Sequence, residues 1–330
     1  MLTTTTVFSR CKPKQKAEII YLLQTILNEK VGMIGDGAND CSAIKQADIG
    51  ISFTKTDASY SSPFSYSESS LECVIKVLAE GRCTLSNMIE VFKNYLTMNM
   101  LKFVGASILI LELSHLSNFQ ITFQNYLQIV PFFLMLSLCK PLNDLTPYRQ
   151  ITNMMGIENF FSVLGLIIIS SGQILTSYFY LRSQSWYIQN TEIPQDDQFI
   201  QQGQAIGIIF LSTTLAFDFI LFSLYLSYPI KQRIYQNYIL FAALSAIFIY
   251  MFFAFLLPEQ SGQSFLDLDK EAVSHKKFML IQLIIALCFG LGMILYEDFI
   301  VKRYLGPCKK SPSTLKKTNS QMKQISKEQN

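Results

Sequence analysis

Six apolar runs, each close to the length of a bilayer-spanning helix, constrain this chain more than any other feature. A helix needs about twenty predominantly apolar residues to cross the hydrocarbon core. The runs fall at Phe92–Leu113, Ile121–Cys139, Phe160–Leu181, Ala205–Tyr228, Tyr238–Leu257 and Phe278–Tyr296. A buried helix of a soluble protein is usually shorter and keeps one polar face. The third and fifth runs have almost none, whereas the first carries Lys93 and Lys102. Half of the 330 residues are hydrophobic and 15% are charged, which excludes an ordinary soluble domain. The expected class is a multi-pass α-helical membrane protein with six transmembrane helices.

An even number of spans places both termini on one side, and the Lys/Arg bias of the loops says which. The loops after the second and fourth runs carry Lys140 and Arg149, then Lys231 and Arg233; the tail adds Lys302, Arg303, Lys309, Lys310, Lys316 and Lys317. The opposite loops carry Glu192, Asp196 and Asp197, then Glu259, Asp267 and Asp269. Both termini are therefore expected in the cytosol, with Lys276 and Lys277 snorkelling at the edge of the last run. None of the seven cysteines falls in the opposite loops, and no C-x-x-C pair or Cys/His ligand spacing occurs, so reduced thiols are expected. The start "MLTTTTVFSR" has no apolar core and does not read as a signal peptide. The basic tail suits anionic membrane lipid, and nothing in the charge pattern points to nucleic acid. Three regions result: a soluble part at 1–90, a membrane region at 91–300, and a basic tail at 301–330 expected to be disordered.

The soluble part reads as a piece of a parallel α/β sheet. "KPKQKAEIIYLLQTIL" gives a helical stripe after Pro13, "VGMI" a short buried strand, "NDCSAIKQA" a helix and "IGIS" another strand. Ser59–Ser70 reads as a turn-rich loop, and a helical pattern runs from Leu71 towards the first span. Between the first strand and its helix lies "GDGAND". Gly35 and Gly37 let backbone approach a phosphate. Asp36 leaves the strand end at the carboxyl edge, where α/β proteins bind ligands, and Asp40 returns to the same place. Two hard carboxylates with open positions suit Mg²⁺ shared with phosphate. Asn39 can donate to a phosphoryl oxygen, and Lys16 can offset its negative charge. Taken alone, G-D-G is also a tight turn with Asp40 as a helix cap. The upstream K-P-x-Q-K and the downstream membrane runs favour the phosphate reading.

"IGDGANDCSAIKQADIGIS" resembles the hinge of P-type ATPases, whose phosphorylation domain ends on a T-G-D-G-x-N-D-x-x-A-L-K-like motif; Ile34 stands for the threonine and Ile44 for the leucine. "VFSRCKPKQK", "EGRCTLSNMIEVFK", "SLCKPLNDLTPYRQ" and "YPIKQRIYQNYI" resemble the type-five, B subgroup. The resemblance covers roughly Val7 to Arg303. It implies that the first ninety residues are a fragment of an α/β haloacid-dehalogenase-like phosphorylation domain. It also implies Mg²⁺ at Asp36 supported by Asp40, an ordering role for Asn39, and contact of Lys16 with the phosphoryl group. The implied activity is ATP-driven transport of a cation or polyamine through an aspartyl-phosphate, in endosomal, lysosomal or vacuolar membranes.

Two departures matter. The nucleophile motif D-K-T-G-T and the nucleotide-binding domain expected before the hinge do not occur in this sequence. "DLDKE" at Asp267–Glu271 fails on position, because it follows the acidic loop and is expected on the wrong side. This chain alone is thus not expected to phosphorylate itself; the missing N-terminal part of a pump is an expected partner. The other reading is a non-catalytic fragment or degenerate paralogue that binds or regulates a partner. The second departure is in the membrane, where charged residues are costly and default to function. The resemblance implies a neutral polar residue where Lys102 stands and an acidic one near Asn125. Such a change would repel a polycation, unless Lys102 merely snorkels or bonds a carbonyl. Glu112 is too far along the helix to pair with Lys102 as a neighbour, and Asp218 is another conceivable partner. Tyr95, Tyr126 and Trp186 read as packing or interfacial anchors.

Overall fold

The computed structural model describes residues 5, 7–53, 60–68, 70–142, 145, 153–189, 203–225, 230–232, 236–256 and 274–305. The acidic loop residues Glu192, Asp196, Asp197, Glu259, Asp267 and Asp269 lie outside the described residues, as do the "DLDKE" string and the tail from Gly306. The chain forms two compact units, Met1–Ala79 and Glu80–Asn330.

In the first unit, α1 (Pro13–Ile26) begins where a proline is tolerated, since the first helical N–H has no intrahelical partner. The Lys12 N–H donates to the Gln15 side chain at 2.9 Å, and the helix buries Ile20. Chain reversal after α1 uses Asn28 at φ 51°, a left-handed conformation that asparagine tolerates. Next come β1 (Gly32–Gly35), a 3₁₀ turn at Ala38–Asp40, α2 (Cys41–Gln46), β2 (Ile49–Phe53) and β3 (Phe64–Tyr66). The strands form a parallel sheet in the order β1-β2-β3, with Ile34 opposite Ile51 and Ser52 opposite Ser65. The expected strand–helix–strand order is present, with β1 one residue later than the apolar run suggests. The Ser59–Ser70 stretch, expected to be loop, contains β3. Its register is aided by Ser62, whose hydroxyl donates to the Gly50 carbonyl at 2.8 Å.

One carboxylate ties α1 to the sheet. Asp48 accepts from the Val31 N–H at 3.0 Å, the Gln24 side chain at 2.9 Å and Lys30 Nζ at 3.2 Å. The Val31 N–H above all, then Gln24 and Lys30, pull its pKa down to about 2.

α3 (Glu72–Leu111) runs for 40 residues, from the end of the first unit into the second, and contains most of the first apolar run. A helical stretch then runs from α4 (Asn118–Thr122) through a π-helical segment, Phe123–Ile129, into α5 (Val130–Ser137). It coincides with the second run. Pro131, just beyond the π turn, has no N–H to donate to the preceding turn, which relaxes the demand for regular i→i−4 spacing there. Then follow α6 (Ile157–Arg182), α7 (Gln204–Tyr225), α8 (Tyr238–Leu256) and α9 (Lys276–Leu295), the last running into a second π-helical segment, Tyr296–Leu305. Among the described residues, five helices are long and apolar enough to cross a membrane: α3, α6, α7, α8 and α9 with its extension to Phe299.

α7 is the core of this unit. All of its residues except Gln204 and Phe222 are buried, as expected for a helix hydrophobic all round. Close helix approach depends on missing side chains. A Cβ on Gly290 would lie 2.4 Å from the Phe219 ring, and one on Gly165 would lie 2.1 Å from Tyr296. Side-chain amides then bond neighbouring backbone: Gln173 donates to the Ser212 carbonyl at 3.0 Å and Gln282 to that of Ser177 at 2.9 Å. Tyr95 and Tyr126 are exposed, and Trp186 stacks on His275 with ring centroids 4.5 Å apart.

Lys93 is 2% exposed and paired with Glu297, itself 1% exposed. Its Nζ donates to Glu297 Oε1 at 3.3 Å and Ser162 Oγ at 2.9 Å, while Ser162 donates to Glu297 Oε2 at 2.8 Å. Removing one member leaves a buried charge, whereas replacing both leaves none. Lys93→Met is therefore expected to destabilise the purified chain by about 3–5 kcal/mol, and Lys93→Met with Glu297→Met by much less. Equilibrium unfolding in mixed micelles checks this; equal losses in single and double variants would contradict it. In the first unit, the Asp48 carboxyl is expected to titrate near pH 2 by carbon NMR, against about 4 for a free aspartate. Because the native pKa is the lower one, the stabilisation it provides is present above about pH 4 and lost as pH falls through about 2. Gln24→Ala should raise that midpoint, and an unshifted midpoint would contradict the assignment.

Candidate functional site

Four of the sequence-predicted residues lie at one end of the sheet in the first unit. β1 ends at Gly35, Asp36 follows it directly, and Asn39 and Asp40 sit in the 3₁₀ turn whose Asp40 N–H donates to the Gly37 carbonyl at 2.9 Å. Asp36 and Asn39 are exposed and Asp40 is buried. A Cβ on Gly35 would lie 2.5 Å from Asp40 Cβ and 2.9 Å from Asp40 Oδ2. The Asp40 carboxylate thus stands against the strand end, in space that only glycine leaves.

Lys16 comes to the same point from the first turns of α1. Its Nζ lies 2.7 Å from Asp40 Oδ1, with side-chain exposures of 35% and 11%. The hydrogen bond to Asp40 raises the Lys16 pKa above its ordinary value, so the ammonium is retained throughout the neutral range. Ser42 holds the two helices in register by donating to the Pro13 carbonyl at 3.1 Å. The arrangement brings together one ammonium, two carboxylates, and an exposed amide at Asn39. Among the described residues no three of His, Cys, Asp and Glu gather closely enough to hold a metal ion by themselves. The donor set fits a hard cation that completes its shell with water and phosphate, and it does not fit a closed, all-protein site.

The remaining two candidates lie in the second unit. Lys102, half-buried on α3, donates through Nζ to Asn125 Oδ1 in the first π-helical segment. The neighbouring Gln124 donates to Thr214 Oγ1 on α7 at 3.3 Å. The acceptor of Lys102 is neither Glu112 nor Asp218: Glu112 accepts from Tyr178 Oη, and Asp218 is fully buried on α7.

Sequence reasoning missed two buried charge networks. Lys93 stands out in the sequence only as an impurity in an apolar run. Lys231, a loop charge by its position, is buried, donates to Glu90, and lies 4.0 Å from the Tyr225 ring centre. Its backbone pairs with Pro141 in an isolated antiparallel bridge, so the loops after α5 and α7 are joined at this point. Glu90, one turn before Asn94 in a helical pattern, gives no sign in sequence that it meets a loop residue 141 positions on.

No protein-family model matches the chain. Curated relatives do. The chain is 33% identical over 241 residues to the probable cation-transporting ATPase 9 of Tetrahymena thermophila, covering 72% of this chain and 21% of that protein. It is 31% identical over 276 residues to the human polyamine-transporting ATPase 13A3, covering 76% and 22%. It is also 31% identical over 250 residues to the mouse polyamine-transporting ATPase 13A2, covering 75% and 21%. The chain spans about a fifth of the length of these relatives. Apolar helices and a Lys-clamped G-D-G-x-N-D loop go with that similarity, and the chain is a membrane protein that belongs to the P-type ATPase family.

Proposed function

We propose that this chain supplies the metal-binding end of the phosphorylation domain and the following membrane helices of an ATP-driven cation or polyamine pump. The observation that carries the reading is the Lys16–Asp40 ion pair at 2.7 Å beside Asp36, in a chain whose relatives are named for cation and polyamine transport. Asp36, free of protein hydrogen bonds among the described residues, supplies carboxylate oxygen to Mg²⁺, and Asp40 supports it through Oδ2. Asn39 and Lys16 face the phosphoryl group, one by hydrogen bond and the other by charge. Bound Mg²⁺ would neutralise phosphoryl oxygens. The attacking aspartate and the ATP site belong to sequence other than these 330 residues.

In the membrane the reading takes six spans, the helical stretch within Ile121–Cys139 being the sixth, with both termini in the cytosol. A site in endosomal, lysosomal or vacuolar membranes follows from the family resemblance. The soluble end, taken as 1–90, passes into the transport region through α3.

The test is a complete pump made by joining this chain to the preceding part of the Tetrahymena relative. Asp36→Asn is expected to lower Mg²⁺-dependent phosphoenzyme formation by at least roughly tenfold. An unchanged magnesium titration would remove Asp36 from the metal site. Gly35→Ala should do the same without altering the ligands, because its Cβ, 2.5 Å from Asp40 Cβ, must displace that carboxylate. A Gly35→Ala pump with normal magnesium dependence would show that the position of Asp40 does not matter.

A further inference from the structure

Within the first apolar run, α3 carries two lysines nine positions apart, Lys93 and Lys102, which the helical repeat of about 100° per residue sets on roughly opposite faces. Each meets a side chain from a π-helical segment: Lys93 meets Glu297, and Lys102 meets Asn125. A further lysine of the second unit, the buried Lys231, meets Glu90. Two of the three ammonium groups are thus neutralised by carboxylates. Among the described residues Lys102 has no carboxylate within 4.0 Å, and it donates to an amide oxygen.

The group that Lys102 bonds is polar but uncharged. Gly105, one turn on, brings α3 close to Thr213 on α7, whose Oγ1 would lie 3.6 Å from an added Cβ. Gln124, beside Asn125, reaches Thr214 at 3.3 Å. Lys102 thus bonds an amide of the π-helical segment, and the residue before that amide reaches a hydroxyl of α7, in the apolar part of the bundle. Charges at such depth mark transport pathways by default, and π-helical interruptions recur at functional sites.

We propose that Lys102 is a charge filter in the transport path: its fixed ammonium, held by Asn125, excludes polycations and restricts the site to substrates of lower positive charge than a polyamine. The inference rests on the transporter reading for its substrate class and narrows it. A substrate ammonium within about 6 Å of Lys102, at an effective dielectric near 20, binds roughly 100-fold more weakly than it would beside a neutral side chain. An amide at position 125 supplies a hydrogen-bond acceptor and no compensating charge.

The test needs no ATP and uses the full chain in nanodiscs of neutral lipid, with spermine as the probe and calorimetry as the readout. Lys102→Met, which keeps the length and removes the charge, is expected to bind spermine roughly 100-fold more tightly than the parent chain. Lys102→Arg, which keeps the charge, should stay as weak as the parent. Asn125→Asp in the Lys102→Met background should tighten binding further. Equal spermine affinity in the parent, Lys102→Met and Lys102→Arg chains, whether measurable or not, would overturn the proposal. Improvement in both Lys102→Met and Lys102→Arg would also overturn it, since that pattern reports loosened packing and not charge. Failure of the transporter reading would appear separately, as a joined pump that forms no phosphoenzyme.

Discussion

A backbone in lipid must satisfy its own hydrogen bonds, and the second unit is organised by that requirement. Regular helices meet it without help. Among the described residues the two departures, at Phe123–Ile129 and Tyr296–Leu305, keep the backbone helical but widen it to i→i−5 spacing. Each widened segment then delivers a polar side chain to α3, Asn125 to Lys102 and Glu297 to Lys93. The two π-helical segments thus supply the side chains that bond Lys93 and Lys102 of α3. The physical reason is that a locally rotated helix can aim a polar group inward where a regular one would aim it at lipid.

The same solvent explains why the bundle is held by small residues and amides. Apolar side chains gain little by leaving lipid for other apolar side chains, so dispersion at close range and interhelical hydrogen bonds must do more. Phe219 seated over Gly290 and Tyr296 over Gly165 give the first; Gln173 and Gln282, each donating to a neighbouring carbonyl, give the second. Such bonds contribute on average about 0.6 kcal/mol each in a membrane. They act here less as large stabilising terms than as fixed points setting the rotation of α6 against α7 and α9.

What could be read in the sequence follows from how local each signal is. The apolar runs, Pro13 at a helix start and the strand before Gly35 are written in consecutive residues, and they appear as α3, α6 to α9, α1 and β1. β3 escaped because three residues among serines, with Phe64 exposed, carry no apolar alternation; its partner β2 decides it. Lys93, Glu90 and Lys231 escaped for a different reason. A lysine in an apolar run looks the same whether it snorkels or finds a carboxylate 204 residues away, and a loop lysine looks the same whether solvated or buried. At the acidic loop, the residue types indicated a phosphate-linked cation site, but the clamp of Lys16 on Asp40 required the packing of α1 against α2.

Lys93 and Lys102 differ in how their charge is compensated. A desolvated ammonium is tolerated only with a carboxylate and further hydrogen bonds, and Lys93 has both, at 2% exposure. Lys102 has the weaker partner, and correspondingly it is not fully withdrawn: part of its surface stays open. An uncompensated charge and incomplete burial therefore belong together by desolvation alone. A fixed charge left accessible in this way acts on whatever approaches it, whereas the charge of Lys93 is spent within the fold. Asparagine and aspartate are nearly isosteric, so the exchange of one for the other at position 125 would barely disturb packing yet would convert an open cation into a closed pair. Whether the charge of Lys102 is compensated thus depends on one side-chain group in a π-helical turn.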